Sequence, residues 1–197
     1  MDVSLYPLGL ENMNLLQQYN RYFKGRGYAM NAIFKRRSIR KYTDKVIPEE
    51  HIEQILKAAM AAPSAGNQQP WHFIVVDDKE ILNEIPKYHQ YAKMLKEASH
   101  AIVVCGDLSR QRYEGYWVQD CSAATQNILL MATELGIGSV WLGVYPDQDR
   151  IKALKELFEL PENVVPLSIV SLGYPAESKG PSNRFDTTRI HRNKWQS

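Results

Sequence analysis

Three arginines and a serine fall within five positions, Arg36-Arg37-Ser38-Ile39-Arg40. Guanidinium groups this close repel one another unless an anion or an acidic partner lies between them. The planar fork of arginine matches a pair of phosphate oxygens, and a serine hydroxyl donates to the same oxygens. These residue types therefore suit a phosphate, while composition alone leaves a solvated basic turn open. A second stretch, Pro63-Ser64-Ala65-Gly66-Asn67-Gln68-Gln69-Pro70-Trp71, is crowded with small and amide-bearing residues. Small residues let the backbone approach a flat ligand, and Asn67 and Gln69 can each donate to and accept from the edge of a heterocycle. A rigid helix-to-strand turn with Trp71 as a core anchor fits those residues equally well.

Other chemistries find less support. His89 and His100 have no acidic or cysteine neighbour at ligand spacing, so no metal site is expected. The glycines of Gly136-Ile137-Gly138-Ser139-Val140-Trp141-Leu142-Gly143 fit neither a P-loop nor a dinucleotide-binding turn, and a strand after a glycine turn is the better reading. No Ser-His-Asp or Cys-His arrangement can be made out, and no general acid is nominated.

The elements that must position these residues are legible in the hydrophobic periodicity. Leu15, Leu16, Tyr19, Tyr22 and Phe23 recur at helical spacing, and Gly25 and Gly27 close that segment. Asn31-Ala32-Ile33-Phe34 has helical character just before the arginines. Pro48 suits a first helical position, Glu49 and Glu50 complement the helix dipole, and Ile52, Ile55, Leu56, Ala59 and Met60 form one apolar stripe ending near Ala62-Pro63. His72 to Val76 reads as a strand, and Ala101 to Gly106 as a buried strand without polar interruption. Between them, Lys79 to about Lys96 reads as one or two short helices broken at Pro86, either an active-site wall or amphipathic packing. Residues 107–116 are the least regular polar segment. Asp120 to Leu135, closed by Gly136, is the strongest helix; its small and apolar residues leave little of it polar, so burial is expected. Asp149 to Leu160 reads as an amphipathic helix and Val164 to Tyr174 as a strand, followed by a basic tail from Arg189 to Trp195.

A chain of 197 residues suits one domain with a real core. A net charge of +2 argues for neither a nucleic-acid nor a membrane surface, and the basic clusters lack an aromatic-rich sheet motif or a recognition helix. Cys105 and Cys121 lie in apolar contexts without metal spacing, as buried free thiols in a reducing compartment do. With no basic-then-apolar leader and no apolar run of about 18 residues, the expected setting is cytoplasmic.

The ordered pair of motifs, Arg36-Arg37-Ser38-Ile39-Arg40-Lys41-Tyr42, then a helix, then Pro63 to Trp71, resembles the nitroreductase-like flavoprotein family over about Asn31 to Arg184. The resemblance implies an α+β fold, a central and mostly antiparallel sheet flanked by helices, in one domain spanning residues 1–197. Residues 1–28 or so would form a helical extension, and about 185–197 a tail packing across a partner subunit. The resemblance further implies an obligate homodimer built on the long buried helix, with FMN held at the interface. By this likeness Arg36, Arg37 and Ser38 serve the phosphate and ribityl chain, and Arg184 matches the last phosphate-binding arginine. Arg40 reaches toward the N1–C2=O side of the ring. Pro63 and Ser64 line the cofactor, and residues 65–69, Ala65, Asn67 and Gln69 foremost, contribute to the neighbouring subunit's site rather than their own. Trp141, Leu142 and Gly143 pass one side of the flavin. In the family the segment matching 107–116 often covers the flavin, which makes Tyr113, Tyr116 and Trp117 candidates for enclosing a planar substrate; a surface loop with a core aromatic is the alternative.

The implied activity is hydride transfer from NADH or NADPH through FMN to a small acceptor such as a nitroaromatic or quinone, with ping-pong kinetics. Arg40 would stabilise negative charge on the reduced ring. Two alternatives share the fold: a specialised flavoenzyme such as a reductive dehalogenase, and an FMN-binding protein without turnover.

Overall fold

Every residue of β2 (His100–Asp107) from His100 to Gly106 is buried, as an apolar strand without polar interruption requires cover on both faces. The computed structural model describes residues 29–180 and 182–195, so the helical extension expected before residue 29 lies outside the described residues. It sets β2 inside a four-stranded sheet of order β1-β2-β4-β3, with β1 (Trp71–Val76), β3 (Gly138–Gly143) and β4 (Val164–Gly173). All three pairings are antiparallel.

The strand period of two sends Ala101, Val103 and Cys105 into one apolar cluster and Ile102 and Val104 into another. The first cluster takes in Leu82 of α3 (Lys79–Glu84), Ile85 and Leu95 of the short turns that follow, and Ile151 and Leu154 of α5 (Gln148–Leu157). The second takes in Ile52, Ile55 and Ala59 of α2 (Glu49–Met60), and Cys121, Ala124 and Ile128 of α4 (Trp117–Glu134). The sheet is thus the middle of three layers, the α+β architecture expected. Ile52, Ile55 and Ile128 are 0% exposed, and burying each such side chain stabilises the fold by about 1.5–3 kcal/mol. A helix as short as α3 persists only through such packing.

Several boundaries differ from the sequence reading; α5, read to Leu160, ends at Leu157. Pro48 is the N-cap of α2 in extended conformation, so the helix starts at Glu49. Pro86 sits inside a 3-10 turn, Ile85–Lys87, that continues directly from α3. α4 starts at Trp117, before Asp120, because Asp120 N already donates to Tyr116 O at 3.0 Å. The burial of α4 is also one-sided in this chain. Cys121, Ala124, Ile128 and Ala132 are buried, while Ala123, Leu130 and Met131 are only half-buried and Gln126 is exposed. Gly136 closes α4 with a φ of 71°; Ile137 N donates to Ala132 O and Gly136 N to Thr133 O.

Candidate functional site

Ile39 and Tyr42, 8% and 7% exposed, fasten the arginine stretch to the sheet. Ser38 pairs with Ser139 of β3 in a parallel bridge, and Ile39 N donates to Ser139 O at 3.0 Å. Farther along, Tyr42 bridges Pro175, Thr43 N donates to Tyr174 O, and Ala176 N donates to Lys41 O. The stretch therefore runs from the start of β3 past the end of β4. Tyr42 Oη donates to Ile39 O at 2.8 Å, and burial pushes its phenol well above the usual range. Glu177 accepts from Arg40 N at 2.6 Å and pairs with Lys179 at 3.2 Å; Lys179 Nζ donates to Ser38 O at 2.6 Å. Arg36, Arg37 and Ser38 are half-buried beside these anchors, and Arg40 is exposed.

Arg184, at the far end of the described chain, joins this cluster. Burial holds the Arg36 guanidinium below its ordinary value, and the charges of Arg184 and Arg37 press it further in the same direction. Among the described residues no salt bridge engages Arg36, Arg37, Arg40 or Arg184. A solvated turn spreads its charges into water. Here cations gather where burial disfavours them, with no carboxylate ion-paired to them among the described residues, and a multiply charged anion would reverse that penalty. The residues fit a phosphate-bearing group.

Pro63 and Ser64 follow α2 and lead into a loop with left-handed backbone: Gly66 has φ 52°, Asn67 φ 54° and Gln69 φ 46°. At the two non-glycine positions this costs about 1–2 kcal/mol each, so side chains must hold the loop. Gln69 N donates to Ser64 Oγ at 3.0 Å, and Gln69 Nε2 to Asn67 Oδ1 at 2.7 Å. Asp120 accepts from Ala65 N at 2.9 Å and from Gln68 Nε2 at 2.6 Å. Gln68 Oε1 in turn accepts from the N–H groups of Arg112 and Tyr113, at 2.8 and 3.2 Å. The Tyr113 ring lies on Gly66, where a β-carbon would stand 2.4 Å from its Cε2. Tyr113 and Tyr116 are 52% and 48% exposed and meet edge to face, whereas Trp117 is buried in the core with its ring against Tyr145 at 5.0 Å. Among the described residues no hydrogen bond or ion pair joins residues 63–69 to the arginine stretch or to Arg184.

The family described as the nitroreductase family matches over residues 33–114 and 86–174, taking in both motifs and all four strands. The chain belongs to the nitroreductase family. An Archaeoglobus fulgidus relative, provisionally named NADH dehydrogenase/NAD(P)H nitroreductase, is 58% identical over 171 residues, covering 84% of this chain and 98% of the relative. A Clostridium acetobutylicum crystal structure, provisionally named NADH oxidase, has a TM-score of 0.81 at 47% identity, covering 83% of this chain and 99% of that one. An FMN-dependent nitroreductase from Clostridium difficile has a TM-score of 0.79 at 35% identity, covering 84% and 99%.

In this family member β3 carries Trp141 half-buried, Leu142 buried among core residues and Gly143 exposed. The Gly143 carbonyl accepts from His89 Nε2 at 2.9 Å and from Arg150 Nη1 at 3.0 Å. A carbonyl only accepts, so the His89 proton is on Nε2; its Nδ1 is buried without a partner. Burial holds the His89 imidazole below its ordinary value, against the opposing pull of the Gly143 carbonyl. Asp120 and Arg150 escaped the sequence reading as site-building residues, and Gln68 entered it only as part of the 65–69 loop, without its bonds to Asp120 and to the 112–113 backbone. Asp120 was visible only as an acid near a helix start, and Gln68 as one amide among several.

Proposed function

We propose that this nitroreductase is an NAD(P)H-dependent oxidoreductase that carries FMN at a homodimer interface and reduces a nitroaromatic, quinone or related small acceptor. The observation that carries this reading is the convergence of Arg36, Arg37 and Arg184 with no carboxylate ion-paired to them among the described residues, a charge arrangement suited to a phosphate. The names of its relatives supply the rest: one for NAD(P)H, another for dependence on FMN.

Arg36, Arg37 and Arg184 hold the phosphate, and the Ser38 hydroxyl adds a donor to it and to the ribityl chain. Arg40 keeps its charge at any working pH and stabilises negative charge at the N1–C2=O side of the ring. Pro63 and Ser64 line the ring. Ala65, Asn67 and Gln69 serve the partner's site, a reading supported by the lack of polar bonds from this loop to the arginines of its own protomer. Trp141, Leu142 and Gly143 pass one side of the ring. Tyr113 and Tyr116 enclose a planar acceptor, and Trp117 backs them from the core side. Bound FMN supplies two-electron chemistry at N5, taking hydride from NAD(P)H and yielding electrons to the acceptor.

The half-buried Ala123, Leu130 and Met131 of α4 face the partner, and the tail, with Phe185 and Trp195 at 78% and 83% exposure, packs across it. Buried free thiols at Cys105 and Cys121 suit a reducing cytoplasm. The test is the visible absorption spectrum of the purified protein followed by identification of any released chromophore. Flavin bands and about one FMN per chain are expected; a protein that stays colourless after incubation with FMN overturns the reading.

A further inference from the structure

We propose that Gln68 and Asp120 are positioning residues for acceptor choice: a buried amide–carboxylate pair that fastens the Tyr113–Tyr116 segment to the left-handed loop. The inference rests on the reading of Tyr113 and Tyr116 as acceptor-facing. Gln68 falls within the 65–69 loop that the family resemblance gives to the partner's site, but neither member of the pair is assigned a contact of its own with cofactor or acceptor.

Gln68 is 6% exposed and Asp120 4%, so water cannot readily replace what they bond. Gln68 Oε1 accepts two backbone N–H groups, Arg112 and Tyr113, and Nε2 donates to Asp120. The amide has one workable orientation, because a flip would set its NH2 against two donors and its oxygen against a carboxylate. Asp120 divides its oxygens between the Gln68 amide and Ala65 N. Four hydrogen bonds thus tie three separate pieces of chain: the loop, the 112–113 backbone and the first turns of α4.

The left-handed residues Asn67 and Gln69 flank Gln68, and the backbone there is held in place by the same pair. On the other side, residues 111–116 close on themselves: Gly115 N donates to Gln111 Oε1 at 3.0 Å and Tyr116 N to Tyr113 O at 3.3 Å. The segment is therefore tied within itself, and among the described residues its side-chain moorings to the loop are Gln68 and the seat of Tyr113 on Gly66. Without the amide, the N–H groups of Arg112 and Tyr113 lose their acceptor and the Tyr113 ring loses its fixed height above the loop.

The experiment compares wild type, Gln68→Leu and Asp120→Asn, all loaded with FMN. Amide hydrogen exchange by mass spectrometry should show 64–69 and 111–116 opening together in both variants. Steady-state kinetics with 1,4-naphthoquinone, planar, and ferricyanide, not planar, should show the naphthoquinone-to-ferricyanide ratio of kcat/KM falling about tenfold through the naphthoquinone KM. Because Ser64, Ala65, Asn67 and Gln69 lie in the loop that opens, FMN per chain is measured in each variant and kcat/KM is taken per bound flavin. Asp120→Asn keeps the size of the side chain and covers the case in which Gln68→Leu fails to fold. An unchanged ratio in folded, flavin-loaded variants overturns the selectivity role, and exchange that rises in 64–69 alone overturns the mooring. A wild-type protein that takes up no FMN overturns the functional reading instead, and the exchange result still decides the mooring.

Discussion

The ring of Tyr42 rests on the backbone of Gly173, where a β-carbon would stand 2.6 Å from the ring's Cγ. The contact lets the arginine stretch lie close across the end of β4, and Tyr42 is the inner anchor of that stretch. Gly173→Ala must displace the ring and should destabilise the protein by about 1–3 kcal/mol. Thermal unfolding followed by circular dichroism measures this, and FMN affinity should fall in the same variant. An unchanged unfolding midpoint would show that the ring has room to move aside.

Removing one of the gathered arginines should have opposite effects on the empty and loaded protein. Arg36→Ala or Arg184→Ala relieves like-charge repulsion, so the flavin-free protein should unfold at the same temperature or higher. FMN affinity should fall about 10- to 100-fold, the weight of a charged hydrogen-bonded contact. Fluorescence titration with FMN and melting of the flavin-free protein read the two effects. Loss of stability without loss of affinity would return the cluster to a purely structural role.

Arg40 makes a prediction about potential. If its charge stabilises the reduced ring, Arg40→Ala should lower the two-electron midpoint potential by about 30 mV for each tenfold loss of that stabilisation. Spectroelectrochemistry on the holoprotein gives the number, and a potential that stays put removes Arg40 from that role.

Acid should weaken the fold through two histidines. Burial holds both His89 and His100 below the ordinary imidazole value of 6.5. Below that value the unfolded chain binds protons that the folded chain resists, so their contribution to stability is complete above pH 6.5 and declines as pH falls through the lowered native values. Unfolding midpoints measured from pH 5 to 8 should rise to about neutrality and then level off as far as these groups are concerned. His89→Gln keeps a donor for the Gly143 carbonyl but has no site to protonate, so its rise should be shallower than wild type.

Use of one site by both electron donor and acceptor should give ping-pong kinetics. Double-reciprocal plots against NAD(P)H at several acceptor concentrations are expected to be parallel; intersecting lines would require both substrates to be bound at once.

Much of the fold was legible because the signals were local. An uninterrupted apolar run marked β2, a period-3.6 stripe marked α2, a helix with little polar surface marked α4, and Gly136 marked the end of α4. The arginine stretch was equally visible, since charges that dense need a reason. The start of α4 was not, because Tyr116 caps it without a side-chain hydrogen bond. Arg184 looked ordinary alone, and its approach to Arg36 depends on the fold as a whole. The Gln68–Asp120 bond spans 52 positions and leaves no periodic trace, so nothing in the sequence distinguished Gln68 from its neighbouring amides. Exposure separates Tyr113 and Tyr116 from the buried Trp117, a division that neighbouring aromatics in a sequence do not announce.

The docking of Ser38 on Ser139 and of Tyr42 on Pro175 also fixes an order of events during synthesis. The arginine stretch leaves the ribosome early, but the surface it fastens to is among the last of the sheet to be made. A nascent chain holding residues 36–42 alone has the charges without the geometry. Flavin loading, under the proposed function, is then confined to nearly completed chains, so the flavin of a preparation sits only on molecules whose sheet is complete.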